Sequence, residues 1–190
     1  MGSGMEADWE FEVGGEAPVI DTAWSGFVDL RRRPERAREL PEVAEFSALG
    51  TALTGLNAAG SPVWTSKCDV WLVLDRAEFD ADELDAPPGC ATHAMGCYID
   101  LVSRCDGQWH SPSVIDDACR LFCARLHSVP LRCCRADLVV RRAITAPERM
   151  DFGITAYLTG CAGSANEAAT ALEAALDAFA GAILDTPASA

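Results

Sequence analysis

The stretch from Ala94 to Ile144 constrains the fold more than any other, because it reads as strand, helix, strand with one consistent buried side. Met95, Cys97, Ile99 and Leu101 fall on alternate residues, the period of a half-buried strand. SVIDDACRLFCARLH follows. Pro112 after Ser111 suits the first helical position, Asp116 and Asp117 sit near the positive end of the dipole, and Ile115, Cys119, Phe122 and Leu126 form the buried stripe. Cys134, Ala136, Leu138, Val140 and Ile144 then return to alternation, leaving Arg135, Asp137 and Arg141 on the other side.

The flanking chain repeats this grammar. Trp9, Phe11 and Val13 predict a short edge strand, and Ile20, Trp24, Val28 and Leu30 predict a longer one over 19–30. Pro41 at a first helical position, the stripe Phe46, Leu49, Leu53 and Leu56, and the stop at Gly60 and Pro62 predict a helix over 41–59. A strand over 63–74 follows, with Trp64, Cys68, Val70, Leu72 and Leu74 inward and Lys67, Asp69 and Trp71 outward. After a long acidic loop and the central unit, a turn at Ala146-Pro147-Glu148 leads to a strand with Phe152, Ile154, Ala156 and Leu158 inward and Thr155 and Tyr157 outward. Ser164 to Glu167 is a capping box opening a helix that buries Leu172, Leu176, Phe179 and Ile183. Phe27-Val28-Asp29-Leu30 also resembles Tyr98-Ile99-Asp100-Leu101, with an arginine and then a proline at matching distances, which predicts an internal repeat.

These elements predict an α+β domain over 9–184, between a lead-in (1–8) and a short tail (185–190). Its antiparallel sheet has five or six strands and carries three helices on one face: a ferredoxin-like split unit extended by one strand and one helix. With 190 residues, 49% hydrophobic and 23% charged, the chain can bury a full core and is neither disordered nor collagen-like.

Twenty-nine acidic residues against fifteen basic ones give a charge of −14, which opposes generic nucleic-acid binding. The N-terminus lacks the n-region and h-region of a signal peptide, and no apolar run is long enough to span a bilayer; the expectation is a cytoplasmic protein without membrane contact. Nine cysteines in a reducing compartment read as buried hydrophobes, metal ligands or reactive thiols rather than a disulfide frame. The acidic loop segment DADELD lacks the glycine and distal glutamate of a calcium loop.

Two sites follow from the expected architecture. The sheet face opposite the helices gathers Trp71, Tyr98, Asp100, Arg135, Arg141 and Tyr157, residue types that anchor protein interfaces. It predicts docking of another protein or of a second copy, with ion pairs such as Asp100 with Arg141. If the strands beginning near Val19, Ala94 and Asp151 run parallel, their ends would bring Arg33, Arg104 and Ser164 together at helix N-termini, an edge suited to a small anionic ligand. Cys161 would lie there with His110 as a base, the one arrangement that would make the protein a cysteine-dependent enzyme. Cys90, His93 and Cys97 have zinc-ligand chemistry but lack a second ordered pair, so no cofactor is predicted and zinc is retained only as a third reading. Nothing in the chain names a reaction. The leading expectation is a non-catalytic interaction or regulatory protein.

Overall fold

The computed structural model describes residues 4–22, 24–73, 79–88, 90–146 and 149–185. It is a mixed α+β fold with six strands: β1 (Glu6–Phe11), β2 (Val19–Asp21), β3 (Val63–Val73), β4 (His93–Ser103), β5 (Cys134–Ala146) and β6 (Arg149–Ala162). Among the described residues there are five helical segments rather than three: a 3-10 helix (Pro34–Glu39), α1 (Pro41–Glu45), α2 (Ser47–Leu56), α3 (Pro112–Leu126) and α4 (Ala165–Leu184).

The strands form one sheet in the order β1-β5-β6-β4-β3, with β2 also paired to β5. β3, β4, β6 and β5 are joined by antiparallel pairings, whereas β1 and β2 lie parallel to β5. Because β4 and β5 both oppose β6, they are parallel to each other, and α3 carries the chain across β6 from one to the other. The alternation in β4, β5 and β6 is as the sequence predicts except at Ile144, which was expected inward with Val140 and is 37% exposed near the end of β5. Cys97, Ile99, Leu101, Ala136, Leu138, Val140, Ile154, Ala156 and Leu158 are buried in one cluster with Leu49, Leu53, Ile115, Phe122, Leu172, Leu176 and Phe179 of the helices. Burying such side chains stabilises the fold by roughly 1.5–3 kcal/mol each. That cluster fixes which strand residues face away from the helices.

The other face is curled. Ser66 Oγ on β3 donates to the Asp21 carbonyl on β2 at 2.8 Å, so the two opposite edges of the sheet meet at one end. Ile20, Trp64, Val102 and Ala143 fill the space this closure encloses, with Phe27 against them. Gly153 is required there: a Cβ would meet Ile20 Cδ1 and the Leu101 carbonyl, each at 2.8 Å. At the far end, Leu84, Ala94 and Cys161 form a second small cluster with Phe79, Ala86 and Ala91 of the acidic loop. The face away from the helices is thus concave and covered at both ends.

Several expectations are corrected. The strand expected over 19–30 stops at Asp21, because Trp24 to Phe27 make a turn with Gly26 at φ 99° and Asp29 takes the Arg31 backbone N–H. Residues 27–30 therefore have no strand to match 98–101, and the proposed repeat does not extend to structure. The helix expected over 41–59 breaks at Phe46, whose backbone is extended (φ −143°, ψ 93°). A bulge between Thr65 and Cys68 reverses the parity of β3, sending Trp64 to the concave face while Val70 stays with the helices. Leu72, expected inward, is 52% exposed. The chain joins the fold before residue 9, since β1 begins at Glu6 and Met5 is fully buried. Residues 1–3, the inward Leu74, the turn residues 147–148 and the tail 186–190 lie outside the described residues.

Candidate binding face

Register places one aromatic side chain on each of three neighbouring strands. Asp69 is opposite Tyr98 and Trp71 opposite Gly96 across β3 and β4, and Tyr98 is opposite Tyr157 across β4 and β6. The ring centroids lie 6.4 Å apart for Trp71 and Tyr98 and 6.0 Å for Tyr98 and Tyr157, both tilted, so the rings form one row across the concave face. Gly96 is its seat: a Cβ there would sit 2.9 Å from two atoms of the Trp71 indole. A glycine inside a strand marks such close approaches, and Gly96 is the sequence signal that could have located the row.

Beside the row runs a polar chain. The Thr155 hydroxyl donates to Asp100 Oδ1 at 2.6 Å, Arg141 Nη1 donates to Thr155 Oγ1 at 3.0 Å and to the Tyr157 hydroxyl at 3.2 Å, and Arg141 Nη2 donates to Glu12 Oε2 at 2.8 Å. The ion pair expected between Asp100 and Arg141 is replaced by this relay; the carboxylate on Arg141 is Glu12, just past β1, which the sequence did not single out. Asp100 is only 6% exposed, and its Oδ2 has no hydrogen-bond partner among the described residues. Burial pushes its carboxyl above the usual range, opposed by the Thr155 bond and the charges of Arg141 and Lys67. Burial, with Asp100 and Asp69 adding to it, pushes the neighbouring Tyr98 phenol up to about 12.

Of the expected face, Trp71, Tyr98, Asp100, Arg141 and Tyr157 therefore come together. Arg135 lies further along the same face of β5 and is engaged by Asp137 at 2.8 Å and Glu83 at 3.7 Å. Lys67 stands over the Trp24 ring at 5.5 Å, which sets it at the covered end.

The anion edge does not assemble. β6 runs antiparallel to β4, so Cys161 lies opposite Ala94, while Phe152, at the start of β6, donates its backbone N–H to the Trp109 carbonyl at 2.9 Å. At about 3.3 Å per residue, the run of β6 from Phe152 to Cys161 separates His110 from Cys161 by roughly 30 Å. Burial also pushes the Cys161 thiol up to about 12, the reverse of an activated nucleophile. Ser164 is at the Cys161 end, where its Oγ caps α4. Arg104 is at the opposite end, engaged by three backbone carbonyls: Nε donates to Ser61, and Nη2 to Asn57 and Val63, at 2.9, 2.9 and 3.2 Å. It closes the C-terminal end of α2, and burial lowers its pKa. Arg33 is exposed and paired with Glu35 at 3.0 Å. The small cavity beside Arg104 is lined by Arg31, Trp64 and Trp109, but Arg31 is held by Asp29 at 2.8 Å and stacked 4.4 Å from the Trp64 ring.

Cys90, His93 and Cys97 also stay apart. His93 and Cys97 are four residues apart on one strand, roughly 13 Å, whereas ligands of one zinc ion lie within about 4 Å of each other. Cys97 is in the helix-side core, and His93, which shares its parity on β4, is exposed with Nδ1 on the Thr92 hydroxyl at 3.0 Å. Among the described residues no group of three or more His, Cys, Asp or Glu is placed to hold a metal ion, and no helix is long and apolar enough to cross a membrane. No family model, no curated protein and no solved structure matches the chain, so the chemistry of the concave face rests on its own residues.

Proposed function

We propose that the protein is a non-catalytic interaction protein of the cytoplasm whose concave sheet face receives a basic segment of a partner protein. One observation carries the reading: a nearly buried carboxylate, Asp100, with one oxygen unpartnered among the described residues, beside a row of three aromatic rings. A guanidinium or ammonium group lying on tyrosine or tryptophan rings and meeting a carboxylate is favoured by ring quadrupole and charge alike. The cations already on the face are largely answered, Arg141 by Glu12 and Arg135 by Asp137 and Glu83, while Asp69 and Asp100 have no ion-pair partner among the described residues. The overall charge of −14 would steer a basic partner toward the molecule.

Calorimetric titration with a nona-arginine peptide at about 0.15 M salt, where surface charges are screened beyond roughly 8 Å, tests this. Trp71→Ala, Tyr98→Ala and Asp100→Asn should each weaken binding about tenfold, the range of a single anchoring contact. Asp177→Asn removes one charge from the exposed side of α4 and should leave affinity unchanged. Equal affinity in all four variants would mean generic attraction to an acidic protein and would overturn the assignment. Light scattering on the unliganded protein separates the other occupant, a second copy: a dimer that dissociates in Trp71→Ala would replace the basic partner with self-association.

A further inference from the structure

We propose that Cys133 and Cys161 form a modification site, a thiol pair that a low-molecular-weight disulfide such as oxidised glutathione converts to an intramolecular disulfide. The inference is independent of what the concave face binds.

The β5–β6 ladder places Cys134 opposite Gly160, so the next antiparallel step sets Cys133 opposite Cys161, and the Cys161 N–H donates to the Cys133 carbonyl at 2.9 Å. Hydrogen-bonded antiparallel partners have Cα atoms about 5.5 Å apart. A disulfide closes without backbone movement at roughly 4.4–6.8 Å. Cys133 also packs against the small cluster that contains Cys161. Cys133 stands at φ 61°, in the left-handed region that a non-glycine residue adopts at a cost of order 1–3 kcal/mol, so its side chain departs from the regular pleat. Cys134 turns the other way and donates its thiol to the Ala171 carbonyl in α4 at 3.2 Å. Only the first cysteine of the dipeptide is therefore available to Cys161.

Access orders the steps. Cys133 is half-buried, whereas Cys161 is 1% exposed beneath Leu84. The Cys133 thiolate attacks one sulfur of oxidised glutathione, forming a mixed disulfide and releasing one glutathione thiol. Cys161, losing its proton, then attacks the Cys133 sulfur, closes the protein disulfide and releases the second glutathione; two protein thiols are oxidised and one glutathione disulfide is reduced to two thiols. Burial that pushes the Cys161 thiol up to about 12 makes it a slow nucleophile and an equally slow leaving group. The bond forms slowly and, once formed, resists monothiols. It would join the entry of β5 to the exit of β6 beneath the loop that covers one end of the concave face. Arg132, next to the pair, holds that loop through Asp85 at 2.8 Å.

The test is incubation of the folded protein with oxidised glutathione, alkylation of free thiols, tryptic digestion and mass spectrometry. The cleaved fragment 133–135 should be found linked to the fragment beginning at Met150, whose sole cysteine is Cys161, and dithiothreitol should release it. Two thiols should be lost to the internal link in both proteins, out of nine in the wild type and out of the eight that remain in Cys134→Ser. In Cys161→Ser, Cys133 should stop at a glutathione adduct; if that variant does not fold, Cys133→Ser supplies the same control and should leave Cys161 unmodified until denaturant is added. Nine alkylated thiols in the treated wild type, a link that survives in Cys133→Ser, or a dominant link from Cys133 to the exposed Cys90 would each overturn the proposal.

Discussion

Replacing Gly96 with alanine separates the aromatic row from the stability of the sheet that carries it. The new methyl would lie 2.9, 2.9 and 3.2 Å from three atoms of the Trp71 indole. Ordinary carbon contacts are about 3.5–4.0 Å, so the ring must retreat by roughly 0.6–1 Å or swing away. Trp71 is 37% exposed, and no backbone atom is among the three nearest neighbours of that methyl, so the ring has room to yield. The tilted contact between Trp71 and Tyr98 is then lost, worth about 0.5–1.5 kcal/mol. Alanine in place of glycine returns about 0.5–1 kcal/mol through the unfolded chain. Stability by urea denaturation, followed by far-UV circular dichroism, should therefore stay within about 1 kcal/mol of wild type. Affinity for the nona-arginine peptide should fall about tenfold, as in Trp71→Ala. A loss of stability above about 3 kcal/mol would show that the displaced group is not a free indole, since overpacking against fixed atoms costs of that order. Unchanged affinity, with Trp71→Ala weakened, would show that the position of the ring is irrelevant to binding.

Burial raises the Asp100 carboxyl in the folded state, so its protonated form is favoured by folding; the stability it contributes is fully present below the unfolded value of about 3.9 and is lost as pH rises through the folded value. Asp100→Asn should therefore gain stability relative to wild type between about pH 4 and pH 7, by about 1.4 kcal/mol for every tenfold by which folding tightens the carboxyl's hold on its proton; a urea-midpoint difference that shrinks over that interval would contradict the burial account. Asn57, with no exposed surface, donates to the Leu53 carbonyl and the Thr65 hydroxyl and accepts from the Thr65 N–H at 2.8, 2.8 and 3.1 Å. Asn57→Ala should cost about 2–4 kcal/mol in urea denaturation, because buried groups left unpaired cost roughly 1–3 kcal/mol each. A change under about 1 kcal/mol would mean that water replaces the amide. Ser164 Oγ accepts from the Glu167 N–H and donates to its carboxylate, so Ser164→Ala should lower stability by about 1 kcal/mol while Ser164→Asp keeps it; equal melting temperatures for the two variants would remove the cap from the account of α4.

The elements readable from sequence are those whose period persists for ten residues or more. β4, α3, β5, β6 and α4 each send one apolar side into the main core over most of that length, and the parity of Tyr98, Asp100, Arg135, Arg141 and Tyr157 followed from it. Where tertiary closure sets the backbone, periodicity misleads. Ile20, Trp24, Val28 and Leu30 fall on even positions without forming one strand, because the chain leaves β5 after Asp21 and turns at Gly26 across the end of the sheet. One extra residue in β3 was enough to put Trp64 on the face opposite to the one its parity implied. The anion edge failed on the early end of β2 at Asp21, which leaves Arg33 before a 3-10 helix and off any strand end, and on the direction of β6. A strand reads the same from its side chains in either direction, so no periodicity argument could have chosen between placing Cys161 beside His110 and placing it at the far end of β4.

If the concave face is the docking site proposed above, closure of the sheet is what would make it specific and not merely wet. A flat sheet would leave Asp100 and Thr155 hydrated, and ion pairs at such positions contribute roughly 0–1 kcal/mol. Here, between the meeting of β2 with β3 at one end and the cover of the acidic loop at the other, Thr155 is 1% and Asp100 6% exposed, with Oδ2 the part of the carboxyl that still reaches solvent. A carboxylate in that setting carries a desolvation cost which the Thr155 hydroxyl and the more distant charges of Arg141 and Lys67 offset only in part, as the raised carboxyl indicates. The remaining cost is what a bound cation would relieve at Oδ2. On that proposal, specificity would come from the aromatic row of Trp71, Tyr98 and Tyr157 beside Asp100, and not from the charge of −14, which attracts every basic partner alike.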